Sequence, residues 1–248
     1  MSEARSQTFL VCTSISECVE TNIGMTTLYY APGACSLASH IALEETGTPF
    51  ETVRLDLAKG DQRAAEYLAV NERGRVPALV QGGLQGGLQE SLQEGWVLTE
   101  NTAILRHVAR LHPEAGLWPE DSRDQARADE WLAWLSTNHH IAYAHVRRPE
   151  RYTADEDAFP AIAAKGADTC GDLFTMTDVK LSNGGWALGD RYSVVDPYLL
   201  LFWTWGRGPA LGFDMAERFP HWTAHARAMA ARPAVRAVFA REGLRLPT

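Results

Sequence analysis

The feature that most constrains this chain is a change of period at Pro113. Before it, apolar residues alternate in short runs as strands require; after it, strand patterning stops and the apolar residues recur at helical spacing. That break predicts an α/β unit followed by an all-helical unit. From Met25 onward, TTLYY (26–30) reads as a strand and APGACS (31–36) as a turn built on Pro32 and Gly33. A helix follows over 36–46, with Leu37, Ile41 and Leu43 apolar and Gly47 at its end. FETVRLDL (50–57) alternates as a second strand, and the polar stretch 60–70 reads as a short helix. RVPALVQ (75–81) and GWVLTE (95–100) supply two more strands, and NTAILRHVARLH (101–112) is a closing helix. The order is β-α-β-α-β-β-α.

The predicted organisation is an extension over 1–24, an α/β domain over 25–112, a linker over 113–123 and a helical domain over 124–248. Helical patterns fall at 124–146, with Trp131, Trp134, Leu135 and Ile141 apolar, and at 155–181, 193–206 and 219–240. Ser193-Val-Val-Asp196 reads as a capping box opening the third of these. Residues 1–24 are expected to be a disordered extension, or the product of a start assigned too early, because Met25 opens the first clean strand; the apolar stretch TFLVCTSI (8–15) is too weak for a secretory signal. The unit xxLQ repeats three times over 82–93, too few for a solenoid, so it reads as an expanded, mobile hairpin tip or, alternatively, as a lid or partner contact.

Composition narrows the partners. With 46% hydrophobic and 22% charged residues the chain has ample material for a core. A net charge of −8 supplies no global positive field for nucleic acid or anionic lipid. No apolar run approaches the ~18 residues that span a bilayer. Cys12, Cys18, Cys35 and Cys170 are too scattered for a disulfide framework and lack metal-ligand spacing, which predicts free thiols, a cytoplasmic protein and no metal.

Three groups carry candidate chemistry. Cys35 sits at the start of a helix just after a strand, where unpaired N–H groups and the helix dipole favour a thiolate; alternatively it is a small buried apolar residue. Val76-Pro77 opens a strand, and an X-Pro bond is the one that takes cis at appreciable frequency; a cis bond would turn the Val76 backbone outward toward an extended peptide. Thr99-Glu100-Asn101 lies where a strand meets a helix. Backbone N–H groups there suit a carboxylate and Glu100 suits an ammonium, a receptor for a zwitterionic amino-acid end, unless the motif is only a helix cap.

In this order and on this frame, the three groups resemble the glutathione transferase superfamily, and within it the bacterial beta class. LYYAPGACSLASHIALEE (28–45), NERGRVPALV (71–80), VLTENTAIL (97–105), RYSVVDPYLLLFWTW (191–205) and ARPAVRAVFAREGL (231–244) carry the resemblance, which covers 25–244. It implies a thioredoxin-like N-terminal domain and an all-α C-terminal domain.

By position, the resemblance makes Cys35 the cysteine that contacts glutathione sulfur and Val76, beside cis-Pro77, the backbone partner of the cysteinyl part. Glu100 and Asn101 become the grip on the γ-glutamyl end, and Lys59 a neighbour of the glycyl carboxylate. Tyr30 and Ser36 join the glutathione-binding set. His140 becomes the active-site histidine, and His140 and Trp205 line the second-substrate pocket. The family pattern breaks where Ile141 replaces a lysine and Asn138 a glutamate; an ammonium that would aid thiolate formation is thereby missing, unless Arg147 or Arg148 substitutes for it.

The resemblance implies a homodimer that takes glutathione as co-substrate and adds its thiolate to a small hydrophobic electrophile. Two alternatives stand beside conjugation: glutathione-dependent thiol–disulfide or peroxide chemistry at Cys35, and a non-catalytic binding module on the same fold.

Overall fold

A computed structural model describes residues 9–12, 18–21, 26–82 and 96–248. Six strands lie among the described residues: β1 (Phe9–Cys12), β2 (Cys18–Thr21), β3 (Thr26–Tyr30), β4 (Glu51–Arg54), β5 (Ala78–Gln81) and β6 (Trp96–Thr99). The first two pair with each other, antiparallel, with Phe9 opposite Thr21. The rest of 1–24, and all of the xxLQ loop beyond Gly82, lie outside the described residues.

The other four strands form one mixed sheet in the order β4-β3-β5-β6, with β3–β4 parallel and β3–β5 and β5–β6 antiparallel. The parallel pair needs a crossover, supplied by α1 (Ser36–Glu45). Successive β3 residues face opposite sides: Leu28 and Tyr30 enter the core under α1 and α3 (Asn101–Leu111), while Tyr29 packs with Tyr67, Val70 and Val80 on the other face. The predicted helix over 60–70 is a short 3₁₀ turn at Asp61–Arg63 followed by α2 (Ala65–Leu68).

In the second half the predicted helix 124–146 is one long rod in three parts: α4 (Ser122–Trp134), a π-helical turn at Leu135–His139, and α5 (His140–Arg147). Asp121 starts it by accepting the N–H groups of Arg123 and Asp124. After α6 (Phe159–Lys180) comes α7 (Val195–Gly206), whose capping box forms: the Asp196 carboxylate accepts the Ser193 N–H at 2.8 Å and the Ser193 hydroxyl accepts the Val195 N–H. A short α8 (Met215–Arg218) leads to α9 (Pro220–Ala231) and α10 (Pro233–Glu242). The single helix expected over 219–240 is therefore two. Pro233 cannot continue a helix from Arg232, which is extended at ψ 135°.

One hydrophobic core runs from Leu28 and Ile41 through Leu105, Leu135, Phe174 and Leu199 to Phe239, so the two halves share an apolar interior. No described helix is long and apolar enough to cross a membrane.

Candidate functional site

The turn between β3 and α1 is held from inside and from across the molecule. The Ser36 hydroxyl accepts the Ala31 N–H and donates to the Ala31 carbonyl, both at 3.2 Å, and Ser36 is fully buried. Its side chain is a staple of the turn. Gly33, at φ +68°, takes a conformation that favours glycine. Its N–H donates to Glu242 at 2.8 Å and its carbonyl accepts the Trp205 indole N–H at 2.8 Å. Both partners belong to the helical half.

This turn presents Cys35 at the start of α1, half-buried, with its thiol donating to the Val76 carbonyl at 3.1 Å. The Val76–Pro77 bond is cis, as the sequence predicts. Burial pushes the Cys35 thiol up to about 12, although its own N–H and that of Ser36 pull the other way. Loss of water around the sulfur thus opposes the thiolate that the helix N-terminus favours, and is the larger of the two effects.

At the end of β6, Glu100 adopts φ +70° and ψ 118°, strained for a residue with a side chain. It caps α3 and projects outward, where its carboxylate pairs with the Arg73 guanidinium. Asn101 goes the other way. Its side chain is buried and accepts the Ser39 hydroxyl at 2.6 Å, so only its backbone faces the start of α3.

Lys59 is exposed, its ammonium 3.6 Å from Asp56. Tyr30 is buried with its ring 4.9 Å from the His40 imidazole; burial, then the Glu242 charge, raises its phenol. The contacts of Tyr30 are those of a core residue.

The helical half supplies an aromatic wall. The His140 ring lies 5.3 Å from Trp205 and 6.2 Å from Phe202, and Trp205 stacks on Tyr143 at 4.2 Å. Burial pulls His140 down to about 4, with the Arg75 and Arg151 charges adding to the shift. The cations whose charges act on this ring are thus Arg75 and Arg151. His139 is the packed partner: fully buried, 2.9 Å from the Thr177 hydroxyl, and lowered by burial to about 3.

Sequence reasoning missed Arg73, Arg75, Tyr143, Arg151 and Glu242. Arg73 and Arg75 stand inside the quoted NERGRVPALV, so their proximity to Val76 was a readable signal. Nothing local marks Glu242 or Arg151, which reach the site only through the fold.

The known proteins agree with this architecture. The N-terminal domain model of glutathione S-transferases matches residues 25–110 and the C-terminal domain model residues 147–233. The chain is 32% identical over 220 residues to glutathione S-transferase GstA of Escherichia coli O157:H7, covering 88% of this chain and 99% of that one. A Sulfitobacter glutathione transferase homologue solved with bound glutathione superposes at TM-score 0.78 and 34% identity, covering 88% of this chain and 98% of that one. A sphingomonad glutathione S-transferase complexed with glutathione gives 0.71 and 35%, covering 88% and 100%. This chain belongs to the glutathione S-transferase family, with a thioredoxin-like N-terminal domain and a helical C-terminal domain of bacterial beta-class character.

Proposed function

We propose that this glutathione transferase lays glutathione along the Val76 edge of the sheet and delivers its sulfur to a small hydrophobic electrophile against His140, Trp205 and Tyr143. The observation that carries conjugation over thiol exchange is the Cys35 thiol donating to the Val76 carbonyl at 3.1 Å, a donor's geometry. A thiol pushed to about 12 is a poor attacking group at neutral pH but a competent donor. Its proton, now shared with the Val76 carbonyl, would turn to the sulfur of bound glutathione and stabilise the thiolate there. Bound glutathione gives its thiol proton to solvent water, the thiolate attacks the electrophilic carbon, the leaving group departs with the bonding pair, and fixed geometry lowers the barrier.

His140 is then a neutral wall of the pocket rather than a base, since a ring that titrates near 4 accepts a thiol proton weakly. Glu100 takes the γ-glutamyl ammonium, Lys59 approaches the glycyl carboxylate, and the first N–H groups of α3 face the α-carboxylate. Asn101 contributes its backbone only. Tyr30 supports the sheet beneath.

The homodimer and the cytoplasmic setting rest on family membership. The apolar residues of α3 and α4 add no independent support, because Ile104, Leu105, Val108, Trp131 and Leu132 are already buried in the chain's own core. The test of function is retention on immobilised glutathione followed by initial rates with an aryl halide, a mixed disulfide and a hydroperoxide. Conjugation of the aryl halide should dominate. Turnover of the mixed disulfide alone would favour exchange at Cys35, and retention with no turnover of any would favour a binding module.

A further inference from the structure

The grip on the γ-glutamyl end is incomplete as the family resemblance draws it. Glu100 offers a carboxylate to the ammonium, but the Asn101 side chain is turned inward to Ser39 and leaves no side chain of that pair for the α-carboxylate. The nearest charged partner of Glu100 is Arg73, whose Nη1 lies against Glu100 Oε1. Both groups face solvent, at 57% and 62% side-chain exposure. An ion pair this exposed is worth roughly 0–1 kcal/mol, so a ligand can open it at small cost.

We propose that Arg73 and Glu100 form a charge-balanced receptor that opens to admit an amino-acid zwitterion, with Glu100 taking the α-ammonium and Arg73 the α-carboxylate of glutathione. The proposal rests on the glutathione reading above and adds a residue to it. Before binding, the receptor is a neutral pair; after binding, the order is carboxylate, ammonium, carboxylate, guanidinium, with every charge next to its opposite. A guanidinium suits this role because two of its N–H groups can address both oxygens of one carboxylate. Two features hold the receptor in place. Glu100 is fixed by the strained φ +70° that ends β6 and starts α3. Arg73 stands on a turn whose N–H donates to Asn71 Oδ1 at 3.1 Å and whose next residue, Gly74, donates to the Asn71 carbonyl. Adding a Cβ to Gly74 would place it 2.8 Å from the Gln62 carbonyl, so this turn has one tight conformation.

Calorimetric titration of the full chain tests the assignment with three ligands: glutathione, its analogue with 4-aminobutyryl in place of γ-glutamyl (no α-carboxylate), and its glutaryl analogue (no α-ammonium). Arg73→Ala should weaken glutathione about ten-fold, equivalent to about 1.4 kcal/mol, and leave the 4-aminobutyryl analogue unchanged. Arg73→Lys should recover part of the loss. The glutaryl analogue keeps the carboxylate, so Arg73→Ala should weaken it by about the same factor as it weakens glutathione. Equal or tighter glutathione binding by Arg73→Ala, or an equal loss for glutathione and the 4-aminobutyryl analogue, would overturn the assignment. Failure of folded wild-type protein to bind glutathione at all would overturn the glutathione reading itself, and the assignment with it.

Discussion

Glu242, on the last helix, accepts the backbone N–H of Gly33 at 2.8 Å, and through that bond the helical domain fixes the turn that carries Cys35. The other carboxylate oxygen lies 2.7 Å from His40 Nδ1, and both side chains are fully buried. The Trp205 indole holds the Gly33 carbonyl from the same domain. One peptide unit is therefore clamped at both ends by residues far away in sequence.

Glu242→Ala should destabilise the protein by about 3 kcal/mol or more, since it leaves a buried histidine and a backbone N–H without their partner. Glu242→Gln keeps an acceptor for Gly33 and should cost less. Urea unfolding of both variants checks the order, and the KM for glutathione should rise more in Ala than in Gln. Equal stability and equal KM in the two variants would show that the carboxylate does not hold the turn.

Trp205→Phe removes the indole N–H and preserves an aromatic face against His140 and Tyr143. The loss of one hydrogen bond should cost about 1 kcal/mol of stability. Electrophile KM should rise several-fold with glutathione KM less affected, as initial rates at varied concentrations of each substrate would read out.

With its thiol pushed to about 12, Cys35 should alkylate slowly in the free protein. At pH 8 a reference thiol near 8.5 is about one-quarter thiolate, and Cys35 should react slower by on the order of a thousand-fold. Mass spectrometry after brief iodoacetamide exposure measures it. Fast labelling of Cys35 at pH 8 would restore the thiolate reading, and with it exchange chemistry.

Cys35→Ala should abolish any mixed-disulfide turnover, reduce conjugation by no more than about ten-fold, and leave glutathione affinity nearly unchanged. The first two rates and a glutathione titration on one preparation decide it. Loss of conjugation to background would make Cys35 indispensable rather than an auxiliary donor.

His139 and His140 are both lowered by burial, to about 3 and about 4. Each is neutral in the folded protein while the unfolded chain takes up a proton below ~6.5, so their stability contribution is present above that pH and is lost as pH falls toward the folded values. Unfolding should take up about two protons near pH 5, from these two groups, and His140→Gln should remove one of them. Chemical denaturation across pH 4.5 to 7 gives the slope.

The sequence alone determined the layout. Alternation at 26–30 and 75–81, the Ser193–Asp196 capping box and the helical spacing after Pro113 are local patterns, set by period and by backbone donors within a few residues. For the same reason Cys35, the cis Val76–Pro77 bond and the outward Glu100 were legible, each standing at an end of an element the pattern located. Tertiary structure decided what those ends do. Whether Asn101 faces solvent or Ser39, whether Ser36 binds a ligand or staples its turn, and which arginines act on His140 depend on elements joined only by folding. The Cys35 thiol shows the difference most plainly. A helix N-terminus, readable in sequence, argues for a thiolate, but the water excluded around the sulfur is a property of packing between distant segments, and here it is the larger effect.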